Sequence, residues 1–149
     1  MTKITMEEIK KLREETGAGV MDVRKALTES SGDVAKAKEW IKQKGLTRAA
    51  EKSERVTGAT YVFSYVHFNG KVGALVKLAC ETDFVAQTED FQHLGKELAM
   101  QAASMRPKDV AELMTQDYLR DPKETIEQLV KAVSGKTGEN VKIVDISVL

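Results

Sequence analysis

The stretch ATYVFSYVHFNGKVGALVKLAC, residues 59–80, decides the fold class. Tyr61, Phe63, Tyr65 and His67 alternate with Val62, Ser64 and Val66, the two-residue period of a strand with one buried face. Asn69-Gly70 follows, a pair suited to the positive φ values of a tight hairpin turn. A two-residue loop there sets Phe68 opposite Lys71, and so Tyr65 opposite Ala74, Phe63 opposite Val76 and Tyr61 opposite Leu78. One face then carries Tyr61, Phe63, Tyr65, Val72, Ala74, Val76 and Leu78, and the other Ser64, Gly73 and Lys77. That register buries the first face.

Downstream of the hairpin the period changes. Phe91, Leu94, Leu98, Ala102 and Met105 recur at helical spacing, predicting a long helix over about 88–104. Residues 109–120 are expected to be helical too. Pro122 is expected to open a helix carrying Ile126, Leu129, Val130 and Val133, which Gly135 and Gly138 end. VKIVDISVL, residues 141–149, reads as a last strand. Residues 56–149 are thus an α+β core, a short antiparallel sheet covered by helices on one face.

Upstream, only helices are legible. Thr5-Met6-Glu7-Glu8 fits a capping box, with Ile4 and Ile9 at the staple positions and Leu12 continuing the stripe toward Gly17. A second helix runs over about 20–29, with Val20, Val23 and Leu27 on one side. Ser31-Gly32 breaks it, and Asp33 caps a third carrying Val34, Ala37, Trp40 and Ile41 as far as Gly45. LTRAAEKSERV, residues 46–56, has no sustained apolar pattern and reads as a charged connector, partly helical. Residues 1–55 are therefore a three-helix domain plus connector.

The charge balance narrows the function. Lys plus Arg number 23, equal to Asp plus Glu, so no global field draws the chain to nucleic acid or an anionic membrane. The excess is local, with 13 basic and 10 acidic residues in 1–55 and the reverse in 56–149. No apolar run approaches a membrane span, and MTKITMEEIK lacks the apolar stretch of a secretory signal. Cys80 has no second cysteine to pair with, and two histidines are too few for an obvious metal cluster. These features point to a soluble cytoplasmic protein with no metal or cofactor.

Motifs for covalent chemistry fail on inspection. SGKTG at 134–138 resembles the tail of a phosphate-binding loop, but Val130 stands where a glycine is needed and a helix, not a strand, precedes it. Gly17-Ala18-Gly19 likewise follows a helix. His67, on the buried side of its strand, and His93, on a helix, have no Ser or Cys at motif spacing. Cys80 reads as a small buried hydrophobe.

Thr82-Asp83-Phe84-Val85, just after the second strand, remains. In one reading Asp83 caps the next turn and Phe84 tucks into the core, and pattern alone leans that way. In the other, Phe84 projects outward as an interface anchor with Asp83 at its rim. A similar choice attends Lys10 and Arg13, three apart on one face of the first helix, and Val20 and Met21, which open the second. For these, pattern alone favours a solvated surface for the bases and bundle core for Met21.

LREETGAGVMDVRKALTESSGDV at 12–34 resembles the N-terminal signature of the bacterial elongation factor Ts family, and CETDFVAQTEDF at 80–91 resembles its second signature. KTGENVKIVDI at 136–146 is similar to the segment that closes the family's core repeat. The resemblance implies a ubiquitin-associated-like N-terminal bundle and an α+β core, in accord with the reading above. It implies a guanine-nucleotide exchange factor that binds elongation factor Tu and releases GDP without making or breaking a bond. Phe84 would then insert between helices of the partner's GTPase domain with Asp83 beside it, disturbing the magnesium region and loosening the β-phosphate contacts. Thr82 and Val85 would hold the loop in shape. Lys10, Arg13, Val20 and Met21 match family positions that contact the same domain; position 20 is often methionine in the family, and Val20 is shorter and stiffer.

Longer members carry a second core subdomain, whereas this sequence resembles one core repeat. A homodimer through the core sheet or its edge is therefore expected, with two partners per pair of chains. Two other functions compete. A protein-interaction adaptor without exchange activity would have no need of the Thr-Asp-Phe-Val loop. A small RNA-binding protein would need a basic patch with stacking aromatics, and Glu51 and Glu54 interrupt the cluster between Lys42 and Arg55.

Overall fold

The computed structural model describes residues 3–149. Helix α1 (Met6–Thr16) starts as expected: the Thr5 hydroxyl accepts from the Glu8 N–H while the Glu8 carboxylate accepts from the Thr5 N–H at 2.8 Å. Helix α2 (Val20–Glu29) follows, and Asp33 caps α3 (Val34–Lys52) by accepting from the Lys36 N–H at 3.0 Å. Ile9, Leu12, Val23, Ala26, Leu27 and Ala37 form a small core of their own, with Ile4, Trp40 and Ile41 packed against it.

Gly45 does not end the third helix; α3 continues through it to Lys52. The reason lies outside the local sequence. A β-carbon placed on Gly135 would stand 2.5 Å from the Gly45 carbonyl oxygen, so the bare backbone of Gly135 lets a core helix touch α3 at Gly45. At Gly135 that contact repays the helix weakness of glycine, roughly 0.5–1 kcal/mol relative to alanine.

Strands β1 (Ala59–Val66) and β2 (Gly73–Cys80) pair antiparallel in the expected register, Tyr61 with Leu78, Phe63 with Val76 and Tyr65 with Ala74. The turn differs. The Gly70 N–H reaches the His67 carbonyl at 2.8 Å, and only Gly70 has positive φ (+70°), so Asn69 stays in ordinary backbone geometry. The Asn69 side chain instead accepts from the Lys71 N–H at 2.9 Å, a local bond typical of turn asparagines. His67 lies past the strand end, partly exposed, with Nδ1 3.0 Å from the Tyr65 hydroxyl oxygen.

After β2 come the single-turn α4 (Asp83–Ala86) and α5 (Glu89–Met105), which starts at Thr88 and lies across the sheet's inner face. Residues 109–125 depart from an all-helical reading. Helix α6 (Val110–Thr115) is short, and β3 (Asp117–Tyr118) and β4 (Asp121–Thr125) form a two-stranded ribbon. Pro122 therefore sits in a strand, where its missing N–H matters least on an exposed edge. Thr125 starts α7 (Ile126–Thr137) instead, with a second capping box closed by Gln128. Gly135 lies inside α7, and Gly138 ends it. Strand β5 (Lys142–Val148) completes the sheet in the order β1-β2-β5.

The larger core fills the space between this sheet and α5, α6 and α7. Phe63, Val76, Leu78, Phe91, Leu94, Leu98, Leu113, Ile126 and Val130 are all buried there. Phe91 meets Tyr61 edge-on at 6.1 Å and Phe63 at 5.9 Å. Each fully buried large side chain contributes roughly 1.5–3 kcal/mol. The ribbon is held on α5 by polar side chains that are themselves buried: Gln101 donates to the Asp117 carbonyl at 3.0 Å and accepts from the Leu119 N–H at 3.0 Å. Glu97 accepts from the Tyr118 hydroxyl at 2.5 Å and from Arg120 Nε at 2.6 Å. Among the described residues no helix is long and apolar enough to cross a membrane.

Candidate functional site

Strand β2 runs into α4 through Cys80, Glu81 and Thr82. The Cys80 thiol is buried and donates to the Thr82 carbonyl at 3.1 Å, and burial pushes its pKa up. Thr82 caps the single turn: its hydroxyl accepts from the Val85 N–H and donates to Glu139 Oε2 at 2.7 Å. The Thr82 N–H donates to Glu139 Oε1 at 2.9 Å, so one carboxylate grips both donors of one residue. Such charge-assisted bonds are the stronger kind.

A single helical turn has two inward and two outward positions. Val85 and Ala86 take the inward ones and are buried. Asp83 and Phe84 take the outward ones. The phenyl ring of Phe84 is 83% exposed, the opposite of the inward packing that pattern alone favours. Asp83 does not cap; its carboxylate accepts a hydrogen bond from the Tyr61 hydroxyl, which lifts the Tyr61 pKa above its ordinary value. The far end is fixed as well, by the Thr88 hydroxyl on the Val85 carbonyl (2.7 Å) and Gln92 Nε2 on the Ala86 carbonyl (2.8 Å). An exposed ring therefore stands on a turn bonded at both ends.

The N-terminal candidates divide. Lys10, Arg13 and Val20 line one groove together with Met6, Glu7, Ile9 and Glu14, where α1 meets the start of α2. Met21 is 75% exposed, so it is not bundle core, and it lies outside that groove. His93 is exposed on α5. Among the described residues no group of three or more His, Cys, Asp or Glu is arranged to hold a metal ion.

Sequence reading missed Glu139 and Tyr61. Neither has a local signal, because each meets the loop across a long stretch of chain, 57 and 22 residues respectively. Asn140 was missed for the same reason. Its side chain donates to the carbonyls of Ser53 (3.1 Å) and Arg55 (2.8 Å), which fastens the connector to the core.

The chain is thus an α+β protein that fixes the Phe84 ring outside its own core. Residues 81–149 match the family described as Elongation factor TS. The chain is 38% identical to Elongation factor Ts of Prochlorococcus marinus over 96% of this chain and 87% of that protein. It is 46% identical to Elongation factor Ts of Oleidesulfovibrio alaskensis over 97% of this chain and 74% of the relative. The protein of that name from Thermosipho melanesiensis is 47% identical, over 89% and 68%. The chain belongs to the elongation factor Ts family.

Proposed function

We propose that this chain serves translation as a guanine-nucleotide exchange factor, binding elongation factor Tu in its GDP form and promoting GDP release. Family membership supports the role, and the exposed Phe84 ring on its fixed turn is the observation that carries the mechanism. In this reading Phe84 enters the partner's GTPase domain near the magnesium and phosphate site, Asp83 acts beside it, and Thr82 and Val85 hold the turn. Lys10, Arg13, Val20 and Met21 supply a second contact from residues 1–55, a ubiquitin-associated-like domain, while 56–149 form the core domain. No covalent step is involved. The effect is linkage: whatever the factor does to weaken GDP, GDP does equally to weaken the factor. The work of deforming the nucleotide site comes from contacts made only in the nucleotide-free complex. The setting is the cytoplasm, with no nucleic acid or membrane as partner.

The same reading includes a homodimer. Val62 (60% exposed) and Val66 (70%) share the sheet's outer side with exposed Leu75 and Val144, and β1 and β5 are both edges. Apolar side chains on an open sheet face with free edges favour pairing with a like surface. Light scattering at working concentration is expected to give twice the chain mass; a fully active monomer removes the dimer.

The deciding experiment follows a fluorescent GDP leaving elongation factor Tu with and without the protein. Catalysed release is expected, and Phe84→Ala should slow it at least about tenfold, a loss near 1.4 kcal/mol of transition-state stabilisation. Binding without any acceleration would overturn exchange in favour of an adaptor role.

A further inference from the structure

We infer that Glu139 is a positioning residue for nucleotide release, acting through Thr82 on the turn that carries Phe84; the inference rests on the exchange reading above. Three observations converge on it. First, the Glu139 carboxylate takes both donors of Thr82, the N–H at 2.9 Å and the hydroxyl at 2.7 Å. The same hydroxyl caps α4, so Glu139 fixes the residue from which the turn starts.

Second, Glu139 is itself held from behind. Its carbonyl accepts from the Ser134 hydroxyl at 2.6 Å, directly after α7 ends at Gly138. The next N–H, of Asn140, donates to Glu81 Oε1 at 2.7 Å. The Asn140 side chain is buried and bonded to the Ser53 and Arg55 carbonyls, and Arg55 sits 3.6 Å from Glu81. The corner between α7 and β5 is thus tied to α7, to Glu81 just past β2 and to the connector after α3. The backbone that carries the Glu139 carboxylate is therefore held in place on the side away from the turn.

Third, α4 makes few bonds of its own. A four-residue helix has almost no intrinsic stability, so its direction is set by what grips its ends. With Glu139 gone, the Thr82 N–H and hydroxyl lose their partner, and Phe84 swings about a looser pivot. Small displacements of a group that must meet its target in one geometry cost rate steeply.

The test compares GDP release from elongation factor Tu at saturating factor for Glu139→Ala, Thr82→Val, Glu139→Gln, Phe84→Ala and the double variant Glu139→Ala with Phe84→Ala. Glu139→Ala and Thr82→Val are each expected to slow release about fivefold or more. Glu139→Gln, which keeps a carbonyl for the Thr82 N–H, should recover part of the rate. On the Phe84→Ala background the Glu139→Ala effect should shrink below about twofold, since two residues acting through one contact are not additive. Deuterium uptake across residues 82–88 should rise in Glu139→Ala and Thr82→Val with the global melting temperature little changed, a signature of a loosened turn. Thr82→Val serves if Glu139→Ala folds poorly. Full rates for both variants beside a slow Phe84→Ala overturn this inference alone. A Phe84→Ala protein as fast as the unaltered one overturns the exchange reading and this inference with it.

Discussion

The carbonyl of Gly45 in α3 occupies the space that a side chain on Gly135 in α7 would need, 2.5 Å from the β-carbon position. The N-terminal helices are thereby seated on the core through bare backbone. Lys42 adds an ion pair to Glu124 at 2.8 Å, which raises the lysine pKa.

The relationship is asymmetric, and that makes it testable. Nothing lies within 4 Å of a β-carbon on Gly45. Gly45→Ala should therefore stabilise the protein by about 0.5–1 kcal/mol in urea unfolding, through better helix propensity. Gly135→Ala should cost about 1–3 kcal/mol, because the two helices must part. Equal effects of the two substitutions would refute the close approach.

Phe84→Ala should leave folding almost untouched. An exposed side chain away from caps and core usually changes stability by less than about 0.5 kcal/mol, and the Phe84 ring is 83% exposed. Matching denaturation midpoints for this variant and the unaltered protein are expected. A loss above about 1 kcal/mol would mean that the ring packs on its own chain.

Phe91→Ala should do the reverse. That ring is fully buried under the sheet against Tyr61 and Phe63. Truncation should cost about 3–5 kcal/mol, enough to leave a marginal domain partly unfolded at ambient temperature. Circular dichroism during thermal melting reads the outcome.

Two tyrosines should ionise late. The hydrogen bond to Asp83 raises the Tyr61 pKa, and burial followed by the bond to Glu97 raises that of Tyr118. Both bonds need the protonated phenol. Their stabilisation is complete below the ordinary tyrosine value of 10.0 and is lost as pH climbs through the raised values. An ultraviolet titration should resolve two phenols above the ordinary range, and Tyr61→Phe should remove one. Disappearance of neither late transition in Tyr61→Phe would contradict the Asp83 contact.

Much of the fold was legible because its signals are local. The alternation from Tyr61 to Val66 and the turn at Asn69-Gly70 set the hairpin register residue for residue. Thr5 with Glu8 marked the first helix start, and Asp33 marked the third. Two of the failures share one cause, contacts remote in sequence. Gly45 reads as a stop until Gly135 is seen against it. Pro122 reads as a helix start until Gln101 and Glu97 are seen holding β3 and the turn that leads into β4 on α5. At the candidate site the pattern located the loop but leaned toward an inward Phe84. One turn with Val85 and Ala86 already facing the core leaves no inward place for the ring.

The state of that ring before any encounter has a kinetic consequence. Because the phenyl group is already bare, docking on the proposed reading requires no unveiling transition in the factor. Stopped-flow traces of association should then be single exponentials whose rate climbs linearly with concentration, without the plateau that a slow opening imposes.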